Sequence, residues 1–117
     1  MMQRLLLNGH LTQLLANGER AARGEDTSDC KPVVKLFNPS GAGTWLLSEI
    51  DPANPSIAFG LCDLGMGCPE IGSVDLSELT AYRGPLNLGI ERDIHFKATM
   101  TLSEYADQAR RAGSITA

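Results

Sequence analysis

The sequence is short of most features that announce a function. It has no apolar run near the ~18 residues that a membrane-crossing helix needs, and it has no phosphate-loop GK[ST] and no CxxC. Aromatic residues are scarce, with one Trp, two Tyr and three Phe, and most fall where a core would claim them. Exposed aromatics beside basic charge, the platform for single-stranded nucleic acid, are therefore not in evidence. Basic charge is also in deficit, with 10 Lys and Arg against 14 Asp and Glu and a net charge of −4. That balance argues against a general nucleic-acid coat and favours a basic protein partner. The three cysteines, Cys30, Cys62 and Cys68, are an odd set, which reads as reduced thiols rather than a disulfide framework. Leu5, Leu6 and Leu7 follow Arg4, but the apolar run ends at Asn8, well short of the ~7 residues of a signal-peptide core. The expected setting is cytoplasmic, with no membrane association.

What is present is a single domain's worth of chain: 117 residues, 43% hydrophobic and 21% charged. Leu7, Leu11, Leu14 and Leu15 lie on one helical face. This predicts an N-terminal helix within 1–17, stopping at Asn17-Gly18. Residues 18–31 are polar and charged and read as a linker or mobile arm. From Pro32 the texture changes, and 32–117 reads as one α+β domain. Strands are predicted at 32–37, 44–50, 57–63 and 70–74, each bounded by Gly, Pro, Asn or Asp. The short connections favour an antiparallel meander. Asp75 opens a short helix with Leu76 and Leu79 inward, and Glu78 is placed to complete its cap. A half-exposed strand is expected within 90–98. Thr101-Leu102-Ser103-Glu104 opens a last helix that buries Leu102, Tyr105, Ala106 and Ala109 and ends near Gly113. The predicted fold class is α+β, a small meander packed with two or three short helices.

Cys62-Asp63-Leu64-Gly65-Met66-Gly67-Cys68-Pro69-Glu70 concentrates two thiols and two carboxylates around a glycine-rich turn. Its cysteine spacing is outside that of a zinc knuckle, and no second Cys/His pair follows, so no metal is expected. An enzyme or ligand-binding reading places a site at the Gly65–Glu70 turn. Asp63, Glu70 and His95 would be its catalytic candidates, with Arg92 and Cys62 as ligand-binding residues. The alternation of His95 with Ile94 and Phe96 instead predicts a solvent-facing histidine. Glu49 and Asp51, two apart at a strand end, could hold a cation or act as acid and base. No cofactor is implied.

Several phrases act in combination: Lys35-Leu36-Phe37, Thr44-Trp45-Leu46, Phe59-Gly60-Leu61 with Asp63-Leu64-Gly65, Pro69-Glu70-Ile71-Gly72, and Ile90-Glu91-Arg92-Asp93. Over roughly Leu14 to Gly113 the chain closely resembles the DUF2958 family. The resemblance implies a small bacterial protein of the kind carried on plasmids, phages and integrated elements. It transfers no catalytic residue. The expected function is a non-enzymatic interaction or accessory protein of a mobile element, binding a host or element-encoded protein and modulating a host protein or defence system. An exposed strand edge could pair two copies. The enzyme or ligand-binding reading is the first alternative, and a nucleic-acid accessory role the second.

Overall fold

The computed structural model describes residues 5–117. Its elements are α1 (Asn8–Ala22), β1 (Val34–Phe37), β2 (Thr44–Ile50), β3 (Ile57–Asp63), β4 (Glu70–Asp75), α2 (Leu76–Ala81), a 3-10 turn (Pro85–Asn87), β5 (Glu91–Arg92) and α3 (Leu102–Ala112). β1 to β4 form the expected antiparallel meander. β5 joins the far edge beside β1, giving the order β4-β3-β2-β1-β5. The fold is α+β.

Both faces of the sheet are covered. On one, Val34, Leu36, Trp45, Leu47, Ile50 and Ala58 pack under Leu6, Leu14 of α1 and Leu79 of α2. On the other, Leu46 and Leu61 pack under Leu102, Tyr105, Ala106 and Ala109 of α3, the four residues expected there. Burial on both faces is why β2 reads as a nearly continuous apolar run. Each fully buried leucine contributes about 1.5–3 kcal/mol.

β2 carries the main irregularity. Its register against β3 slips between Leu47 and Glu49, leaving Ser48 as a bulge. Glu49 therefore stands opposite Phe59, while Ile50 returns to the α1 face with Leu47. Asn17 of α1 is buried and donates through Nδ2 to the Ser48 carbonyl at 2.8 Å. Gly18 lies so close to β2 that a Cβ there would sit 1.7 Å from the Ile50 carbonyl oxygen. The expected helix stop at Asn17-Gly18 is thus corrected. Both residues pack α1 against β2, and the helix runs on to Ala22.

The stretch 18–31, expected as a linker or arm, begins as the end of α1 and then connects it to β1. Its first residues are helical, and the rest is tied down. Leu102 N donates to the Cys30 carbonyl at 2.8 Å, and Ser103 Oγ donates to the Ser28 carbonyl at 2.9 Å. The connection from α1 to β1 thereby holds the start of α3. That helix has the expected reciprocal cap between Thr101 and Glu104 and ends at left-handed Gly113. α2 starts on Asp75, which accepts from Ser77 N, and stops at Ala81, just short of the expected Tyr82–Arg83. The strand expected within 90–98 is cut to Glu91–Arg92. Asp93 ends it by turning the chain: its Oδ1 accepts from His95 N at 2.9 Å and its carbonyl accepts from Phe96 N at 3.2 Å.

Candidate functional site

Sheet register decides which of the sequence-derived candidates can meet. Glu70, Cys62, Trp45, Leu36 and Arg92 are successive cross-strand partners. They form one row across the whole sheet, on the α1 face. Adjacent strands lie ~4.8 Å apart, so Cys62 and Arg92, three strands apart, are separated by about 14 Å. Asp63 belongs to the neighbouring row with Thr44, Phe37 and Glu91, and successive residues on a strand point to opposite faces. Cys62 and Asp63 therefore face away from each other.

Each candidate has a local explanation. Asp63 is buried, with Oδ1 accepting from Gly65 N and Oδ2 accepting from Ile115 N, both at 2.9 Å. It anchors the β3–β4 turn and the chain after α3. Burial pushes the Cys62 thiol up, away from a reactive thiolate. Glu70 is exposed at the start of β4. Arg92 donates through Nη1 to the Leu5 carbonyl at 3.1 Å. His95 is exposed, but in the turn after β5 rather than on a strand: Ile94 beside it is 69% exposed, so the expected alternation does not form. Arg92 and His95 do come together, in a shallow depression with Lys35 and Phe37, where Lys35 pairs with Asp93 at 3.5 Å. That depression is on the edge of the sheet opposite Glu70. The convergence of Asp63, Glu70, Arg92 and His95 that an active site would need does not form. Among the described residues no three His, Cys, Asp or Glu side chains gather where they could hold a metal ion.

His10, which sequence reasoning left aside, has a structural part. Its Nδ1 accepts from Leu7 N at 3.1 Å and caps α1. Burial first, and the Arg92 charge second, hold its pKa below the ordinary histidine value.

A different feature dominates the surface. Three connections meet at one end of the sheet: the β1–β2 turn, the β3–β4 turn and the segment from Tyr82 to Gly89. Asn38 Nδ2 donates to Tyr82 Oη at 3.4 Å. A Cβ on Gly84 would lie 2.8 Å from Ser40 Oγ, and one on Gly65 would lie 2.4 Å from Ala42 Cβ. On these connections Leu64, Met66 and Leu86 are 59%, 82% and 92% exposed, and Tyr82 and Leu88 are partly exposed. Leu86 has φ 60° and ψ 20°, and Asn87 has φ 60°. Leu88 N bonds back to the Pro85 carbonyl at 3.3 Å. This is a type I′-like turn, in which asparagine is favoured and leucine is not. Holding a leucine there costs about 1–2 kcal/mol, and its side chain gains no burial in return. Apolar residues inside the turn signals Leu64-Gly65-Met66-Gly67 and Pro85-Leu86-Asn87-Leu88 were the available clue, because neither segment can supply a core strand.

A second feature lies at the opposite end of β2. Glu49 is only 9% exposed. Its Oε2 accepts from Thr27 Oγ1 at 3.2 Å, and burial pushes its pKa up despite that bond. A groove of about 310 Å³ runs past it. Asp51 lines the same groove but is exposed, so the bulge and the strand end separate the environments of the two carboxylates that the sequence set together.

A family model described as "Protein of unknown function (DUF2958)" matches residues 5–116. No curated protein and no solved structure matches the chain.

Proposed function

Because this chain belongs to the DUF2958 family, whose description carries no activity, we propose from the geometry that it is a non-enzymatic protein-binding domain. The partner docks on the apolar end of the sheet formed by Leu64, Met66 and Leu86. The observation that carries this reading is Leu86: an almost fully exposed leucine in a left-handed backbone conformation. Strain held at a surface site without compensating packing is a mark of function, and clustered exposed apolar side chains are a mark of association. The net charge of −4 and the exposed Glu70 next to the turn suit a partner with a basic rim around an apolar centre. The setting is the bacterial cytoplasm, and the partner is a host or element-encoded protein met by a mobile element.

A second copy of the chain is a poorer occupant. Antiparallel self-pairing of the β4 edge about Gly72 and Ser73 would set Glu70 opposite Asp75 at both ends. Like charges directly opposite are destabilising.

The test is capture of the partner from host lysate under nuclease, using the wild-type chain beside Met66→Asp and Leu86→Asp. A stoichiometric protein retained by the wild type and lost by both folded variants is the expected result. Capture that is equal in all three, or that depends on nucleic acid, overturns the reading.

A further inference from the structure

Glu49 is a carboxylate nine-tenths buried and, among the described residues, without a countercharge. The ion pairs among the described residues are Arg20–Glu25, Arg23–Glu25, Lys35–Asp93 and Arg110–Asp107, and none includes Glu49. Only the Thr27 hydroxyl bonds to it, through Oε2. Its Oε1 accepts from no group, yet no buried side-chain oxygen or nitrogen among the described residues is left without a partner. Oε1 is therefore not sealed off from solvent, and Glu49 is one of the residues that line the groove. A buried carboxylate normally has either a cation or several donors beside it, as Asp63 has two backbone amides, because the cost of desolvating the charge is otherwise unopposed; Glu49 has one hydroxyl.

The neighbours of Glu49 say what that cation would be. Glu49, Phe59 and Ser73 are successive cross-strand partners on one face, so a carboxylate, an aromatic ring and a hydroxyl stand side by side about 5 Å apart. Pro52 and Ile57 add apolar wall. A carboxylate that accepts, beside an aromatic side chain and apolar wall, matches a guanidinium on an alkyl chain. Guanidinium is planar and weakly hydrated, which suits a desolvated carboxylate better than a compact, strongly hydrated ammonium does. Stacking on an aromatic face adds to the match.

We propose that the groove between Glu49, Phe59 and Ser73 is a binding site for an alkylguanidinium group, with the Glu49 carboxylate as its counter-ion. Such a group comes either from a free guanidino compound or from an arginine side chain of a polypeptide. The site is at the opposite end of β2 from the apolar loops, so its test is separate from that of the protein-docking reading.

The test is titration of the whole chain by calorimetry and by amide NMR shifts. The probes are agmatine, a blocked Gly-Arg-Gly peptide, n-butylamine and Mg²⁺. Agmatine or the peptide is expected to shift the amides of Glu49, Phe59 and Ser73 and to bind at least tenfold more tightly than n-butylamine. Glu49→Gln, isosteric and neutral, should weaken that binding at least tenfold. Ser73→Phe, which fills the exposed end of the row and leaves Glu49 intact, should also block it. Tighter binding of agmatine than of the peptide assigns the site to a free compound, and the reverse assigns it to an arginine side chain. Absence of guanidinium binding to the wild type, equal binding by Glu49→Gln, or preference for n-butylamine or Mg²⁺ overturns the proposal.

Discussion

Leu86→Gly should make the protein more stable while removing part of its docking surface. Leu86 sits at φ 60° with its side chain 92% exposed, so glycine relieves strain and loses almost no burial. The relief is about 1–2 kcal/mol. Against it stands the greater freedom glycine gives the unfolded chain, about 0.4–1 kcal/mol. The net expectation is a gain of about 0.5–1 kcal/mol, a rise in Tm of roughly 2–5 °C for a domain of this size. Urea denaturation followed by circular dichroism would read it, with an unchanged m-value marking an unchanged denatured state. The same variant should retain less of the captured partner. A loss of stability of 1 kcal/mol or more would refute the reasoning, because it would mean that Leu86 is held by packing rather than displayed against strain.

Gly18→Ala should cost about 2–3 kcal/mol by chemical denaturation, because the overpacking penalty from a Cβ 1.7 Å from the Ile50 carbonyl oxygen outweighs the better helix propensity of alanine. Asp63→Ala should lose about 2–3 kcal/mol by removing two charge-assisted bonds to backbone amides. Hydrogen exchange should then show faster exchange at Gly65 and Ile115. Protection unchanged at both would mean that Asp63 does not anchor them. Glu49 holds its proton to higher pH in the folded chain than in the unfolded one. Its contribution is therefore fully present below the ordinary carboxylate range and is lost as pH rises through the raised value. Glu49→Gln should gain stability on the wild type as pH rises through and above the ordinary carboxylate range, read from urea midpoints at each pH. A pH-independent difference would refute this.

The elements legible in the sequence were those whose causes are local. β2 and β3 have the predicted bounds because Asn38-to-Gly43 and Asp51-to-Ser56 are turn chemistry on either side of apolar runs. α3 was legible at both ends, since Thr101 and Glu104 cap each other and Gly113 takes the left-handed conformation within a few residues of chain. The helical period placed Leu102, Tyr105, Ala106 and Ala109 in the core.

Tertiary structure decided the rest, because the causes lie far apart along the chain. Asn17-Gly18 has the local signature of a helix stop, yet the Ser48 and Ile50 carbonyls, about thirty residues away, turn it into a packing contact. The bulge at Ser48 decided that Glu49 faces Phe59 and Ser73, which strict alternation along β2 does not indicate. Sheet order separated Cys62 from Arg92 and His95, because β1 and β2 lie between β3 and β5. The apolar loop end exists only because an antiparallel meander returns alternate turns to the same end, where the 82–89 segment joins them. Local sequence determined what each segment is. Long-range packing determined which side chains meet, that Leu86 is left outside, and that Glu49 is buried among the described residues with one hydroxyl as its partner.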